Sequence, residues 1–146
     1  MKSKYIILIL IGVLLLVACG GGYGTDQDNV QAEINLTDPP AEFVDLVNPL
    51  RNDNSAVESG QILYQSNCAS CHGNKGKGDG AAAQALAPAP SNLAVAHAEL
   101  SDGYLFWRIS EGGLMEPFRS SMPAWKTILV QDQIWELISY IRTLSD

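Results

Sequence analysis

Two thiols three residues apart, with an imidazole directly after the second, constrain this chain more than any other feature of its 146 residues. The stretch is Cys68-Ala69-Ser70-Cys71-His72. Several chemistries use paired cysteines. A thiol–disulfide exchanger with C-x-x-C needs a surrounding βαβ pattern, and no segment of the chain sustains strand alternation. A zinc site needs four ligands, yet the only other histidine is His97 and no second cysteine pair exists. A plain Cys68–Cys71 disulfide leaves His72 without a role. C-x-x-C-H fits the covalent attachment of a c-type haem. Two thiols one helical turn apart can add to the two vinyl groups of one haem edge, and the adjacent imidazole then lies under the iron as a ligand.

A second axial ligand is needed. Ser121-Met122-Pro123-Ala124-Trp125 offers a thioether in a proline-stiffened loop. Pro123 fixes its own φ and biases Met122 away from helix. Met115, ahead of Glu116-Pro117, competes for the role, and His97 in AVAHAEL reads as a surface histidine. His72/Met122 ligation raises the reduction potential relative to two histidines.

The N-terminus has a different character. Lys2 and Lys4 lead into an apolar run from Tyr5 to Ala18, the form of an export signal. The run is shorter than the roughly 20 residues of a spanning helix. It ends in Leu16-Val17-Ala18-Cys19, which resembles the lipobox of bacterial lipoproteins. There the cysteine receives a diacylglycerol and becomes the mature N-terminus. The competing reading is an uncleaved anchor with an incidental Cys19. Both put the remainder at the extracytoplasmic face of a bacterial membrane. Loss of residues 1–18 removes two lysines and no acid, taking the formal charge from −7 to −9. Nucleic-acid binding is excluded on that ground, because phosphate contacts need clustered Lys and Arg.

Three regions follow: a signal at 1–18, a lipid-anchored flexible tether at 19–54, and a folded domain at 55–146. The tether is rich in Gly, Asn and Asp, with Pro39, Pro40 and Pro49, and its patch from Phe43 to Val47 either docks on the domain or on a partner or is solvated linker with some sticky residues. Ser55-Ala56-Val57-Glu58 has the form of a capping box opening a helix to about Asn67. Ser101-Asp102 caps a helix over 103–110, stopped by Gly112-Gly113. Ile134, Leu137, Ile138, Ile141 and Leu144 recur with helical period in the last helix. The loops between are long for so small a domain, so something besides side chains fills the middle.

Residues 55–146 resemble a class I (monohaem) cytochrome c. The likeness rests on G-x-x-x-Y before C-x-x-C-H-G, the GKGDG loop, a proline loop, a Met-Pro loop and a final S-Y-I-R helix. It implies an all-α fold: several small helices and long loops wrapped around one covalent haem c. It implies a close crossing of first and last helices at Gly60, Tyr64 and Tyr140. It also implies a proline carbonyl, of Pro88 or Pro90, that accepts a hydrogen bond from His72. Apart from the resemblance, Tyr104, Trp107 and Arg108 sit where a helix could face haem propionates. Arg108 either pairs with a propionate or is a solvated arginine, and Trp107, Trp125 and Trp135 read as core or haem-wall residues. The implied function is one-electron transfer to redox partner proteins in the membrane, not enzymatic catalysis. The alternative is a fixed relay subunit of a larger respiratory or photosynthetic complex, such as alternative complex III or a terminal oxidase. A haem enzyme or gas sensor would need Met122 absent or labile.

Overall fold

The computed structural model describes residues 38–146. The signal, Cys19 and the first half of the expected tether lie outside the described residues. Those described form five α-helices, two single turns of 3-10 helix at Ala83–Ala85 and Trp125–Thr127, and no strand. Helix α1, Asn54–Asn67, is capped by Asp53, whose carboxylate accepts from the backbone N–H of Ser55 at 2.8 Å and Ala56 at 3.4 Å. The cap therefore lies two residues before the expected Ser55. Ala56, Gly60 and Tyr64, four residues apart, form its buried face. Helix α2, Ala69–His72, follows almost without a break: Cys68 N–H still reaches Tyr64 O at 2.8 Å, and His72 N–H reaches Cys68 O at 2.8 Å. The two thiols are thus carried one turn apart on rigid backbone.

Helix α3, Leu93–Ala96, is a single turn. Helix α4, Asp102–Glu111, starts at the expected cap: the Ser101 hydroxyl accepts from Tyr104 N–H at 3.0 Å. Helix α5, Gln131–Ile141, is central, and seven of its residues from Ile134 to Ile141 are buried. It crosses α1 where Gly60 leaves room for the Glu136 carbonyl and the Tyr140 Cβ. The Tyr64 and Tyr140 rings meet there with centroids 5.2 Å apart, and the Tyr64 hydroxyl donates to Gly73 O at 2.9 Å. The expected crossing is present with the expected three residues.

The folded body does not begin at residue 55. Asn48, only 2% exposed, is the anchor of a strap that the sequence assigned to the tether. Its amide nitrogen donates to Trp135 O at 3.0 Å and Ser139 Oγ at 2.9 Å, and its side-chain oxygen accepts from Leu50 N–H at 2.8 Å. Its backbone N–H donates to the Asp102 carboxylate at 2.9 Å. Leu46 and Leu50 pack on the core, and the Phe43 ring stacks on Phe106, which stacks on Trp135. The tether boundary at residue 54 is therefore corrected. A short segment with one fully bonded buried amide and a few apolar contacts can dock without any helical or strand pattern. Burial would raise the Asp102 pKa, but the Asn48 N–H and Arg142 outweigh it and hold the carboxyl below its usual range. Arg142 contacts Asp102 at 2.5 Å, Leu100 O at 2.8 Å and the His97 carbonyl, so it joins α5 to α4 and to the loop between α3 and α4.

Candidate functional site

A largely apolar cavity of ≈ 300 Å³ lies between α2, α4 and the loops before α3 and after α4. It reaches the lower end of the range usual for small-molecule and cofactor sites. Cys68, Cys71 and His72 form one side of it. Neither cysteine is in a disulfide. Burial first, and Cys71 second, push the Cys68 thiol up to about 12. A dithiol exchange centre needs the opposite, a stabilised thiolate. Among the described residues no three His, Cys, Asp or Glu side chains converge as a metal-binding group.

His72 Nδ1 lies 3.0 Å from the Ser91 carbonyl oxygen. A carbonyl only accepts, so Nδ1 carries the proton and Nε2 keeps its lone pair. Burial lowers the His72 pKa against the opposing effect of that carbonyl; the neutral ring is the ligating form. The expected proline carbonyl is therefore corrected: the acceptor belongs to Ser91, not to Pro88 or Pro90. Both prolines line the cavity, but the Pro90 carbonyl is turned onto Gly78. Gly78, at φ 77°, has no Cβ to block that approach. The chain turns one residue further before it meets the imidazole.

Met122 lies on the cavity wall with His72. Its backbone is clipped in place, because Gly113 N–H donates to Met122 O at 2.9 Å and Ser120 N–H donates to Gly113 O at 2.7 Å. Gly112, at φ 74°, lets the Met122–Pro123 backbone come close. Met115 is not on the wall; its sulfur accepts from Arg108 Nη1 at 3.4 Å. His97 is remote as well, with Nε2–H donating to Leu144 O at 2.9 Å. It is half-buried and tied to the chain's end, not a free surface histidine.

Tyr104 and Arg108 line the cavity as expected. Trp107 does not: it packs outside, edge-on to Tyr104 and Phe118 at 5.6 and 5.7 Å, because a helix turns 100° per residue and points it away from its neighbours on the wall. Leu105, Ile109, Phe118 and Ile141 complete the apolar wall and were missing from the expected site. Tyr104, Leu105, Arg108 and Ile109 form one stripe of α4, and that period was the available signal.

Together the residues fit a c-type haem: two thiols one turn apart, an imidazole with an oriented lone pair, a methionine lining the same cavity and apolar walls. A family model described as cytochrome c oxidase, cbb3-type, subunit III matches residues 55–141. No curated protein matches the chain. Among solved structures, the chain is similar to cytochrome CL from Methylophaga aminisulfidivorans, at 23% identity and TM-score 0.50 over 65% of this chain and 59% of that one. It is also similar to a chain of a reducing HAO-like protein complex from Kuenenia stuttgartiensis. That match has 22% identity and TM-score 0.55, over 67% of this chain and 47% of the other. At such identities the likeness is one of fold, and the chain spans under two thirds of either structure's length.

Proposed function

Since the chain belongs to the c-type cytochrome family described as cytochrome c oxidase, cbb3-type, subunit III, we propose that it carries single electrons at a membrane surface. Cys68 and Cys71 would hold one haem c covalently, and His72 and Met122 would ligate its iron. The observation that carries this reading is that both thiols, the His72 ring and the Met122 side chain line one cavity, while Met115 and His97 are bonded elsewhere. Haem c, when bound, supplies a one-electron couple whose potential follows from ligation, burial and hydrogen bonding. The Ser91 carbonyl fixes the imidazole tautomer and makes His72 a better ligand. Leu105, Ile109 and Ile141 give the cavity buried apolar lining. With His72 and Met122 both ligating the iron, substrate chemistry would be opposed and outer-sphere transfer favoured.

The axial pair is tested by the near-infrared sulfur-to-iron band of the oxidised protein. Met122→Ala is expected to abolish the band and open the iron to added ligands, and Met115→Ala to leave it. The reverse pattern would assign the ligand to Met115.

The membrane tether is part of the same proposal and rests on the Leu16–Cys19 pattern. A diacylglycerol on Cys19 supplies two chains, which hold stably where one holds marginally. Cys19→Ser is expected to move the protein from the detergent phase to the aqueous phase; partition unchanged by this substitution would remove the lipid anchor from the proposal.

A second reading, a fixed relay subunit, is favoured by the family's description as an oxidase subunit. Sizing after mild detergent extraction separates the two. A lone species of one-domain mass supports the mobile carrier, and comigration with a larger haem-containing assembly supports the subunit.

A further inference from the structure

Met115 and Met122 lie on one excursion of the chain from Gly112 to Pro123, clipped at its base by the Gly113–Met122 and Ser120–Gly113 hydrogen bonds. Arg108 occupies its interior. The guanidinium carbon sits 3.5 Å from the centre of the Phe118 ring, and Nη1 donates to Gly112 O at 2.8 Å and to the Met115 sulfur at 3.4 Å. The side chain is half-buried, and among the described residues it has no carboxylate partner. It also lines the cavity, so the Met115 sulfur stands one guanidinium away from it.

We propose that Arg108 is a positioning residue that selects between two methionines: by bonding the Met115 sulfur, it withholds that thioether and leaves the iron to Met122. The proposal rests on the His72/Met122 reading above. A thioether is a weak acceptor and keeps a second lone pair, so the bond withholds Met115 by position: it ties the sulfur to Arg108, off the cavity wall. The selection has three supports. Stacking on Phe118 fixes the plane of the guanidinium. The Gly112 carbonyl fixes its height along α4. The Met115 backbone is held in a tight turn, its carbonyl accepting from Phe118 N–H at 3.0 Å and Arg119 N–H at 3.1 Å. Gly112, Met115 and Phe118 all lie on the loop that also carries Met122, so the rival is fixed on the ligand's own loop. Removing the guanidinium frees the Met115 sulfur and opens the space between it and the cavity.

The test uses the near-infrared sulfur-to-iron band of the oxidised holo-protein, with far-ultraviolet circular dichroism confirming that each variant is folded. Met122→Ala loses the band. Arg108→Leu combined with Met122→Ala is expected to regain it, because Met115 is released, and adding Met115→Leu is expected to abolish it again. Arg108→Gln in the same backgrounds decides the matter if the leucine variant does not fold. Folded Arg108/Met122 double variants without the band would overturn the selection, as would a regained band that survives Met115→Leu. A wild-type protein that lacks the band would instead overturn the His72/Met122 reading.

Discussion

Acid–acetone extraction of the denatured holo-protein is expected to leave all of the haem colour on the polypeptide. Cys68→Ala combined with Cys71→Ala is expected to release all of it. The effect is all-or-none because thioether bonds survive unfolding, whereas an iron–imidazole bond does not. The two thiols are one turn apart on continuous backbone, where Cys68 N–H bonds Tyr64 O and His72 N–H bonds Cys68 O. Each lines the same cavity as His72. The Cys68 thiol, pushed up to about 12 by burial, is a poor thiolate and so a poor exchange nucleophile. Complete loss of colour from the wild type on extraction would remove covalent attachment, and with it the assignment of both cysteines.

Gly60→Ala is expected to destabilise the holo-protein by about 3 kcal/mol, the upper part of the range for overpacking a close contact. For a domain of this size that lowers Tm by roughly 10–20 °C. The sign is the diagnostic. In an unpacked helix the same change would stabilise by about 0.8–1 kcal/mol. At Gly60 a Cβ runs into the Glu136 carbonyl and presses on the Tyr140 Cβ. Backbone cannot rotate out of the way as a side chain can, so α1 and α5 must separate along the contact that holds the Tyr64 and Tyr140 rings together. Thermal unfolding followed by circular dichroism measures the change, with Gln61→Ala on the exposed side of the same helix as reference. An unchanged or raised Tm for Gly60→Ala would mean that the crossing is not close.

The helices and the crossing could be read from the sequence because they rest on side-chain periodicity. Gly60, Tyr64 and Tyr140 stand at their expected contact, and Ser101 caps α4 as its hydroxyl suggests. The thiols and His72 were legible for the same kind of reason: their spacing is itself the chemistry. What could not be read depends on backbone atoms or on distant partners. The Ser91 carbonyl has no side-chain signature, and its selection over Pro90 depends on how closely the chain passes Gly78. Asn48 looked like a linker residue because its partners, Trp135 and Ser139, lie 87 and 91 residues away. Trp107 carried the right residue type on the right helix but at the wrong angle. The Arg108–Met115 contact joins two residues seven apart across a helix end, where no periodic rule applies.

The strap and the crossing also set an order of events during synthesis. Asn48 waits for Trp135 and Ser139, Gly60 for Glu136, Tyr64 for Tyr140, and His97 for Leu144. A polypeptide emerges from its N-terminus, so the front of this domain has nothing to close against until the final helix exists. Such distant pairings also form slowly, since the entropy of drawing in the intervening chain is lost before any contact is gained. Cys68 and Cys71 therefore travel on an open chain for about half of the molecule's making. Whatever joins haem to them has that interval in which both sulfurs are reachable, before α5 docks and the apolar wall shuts out the machinery.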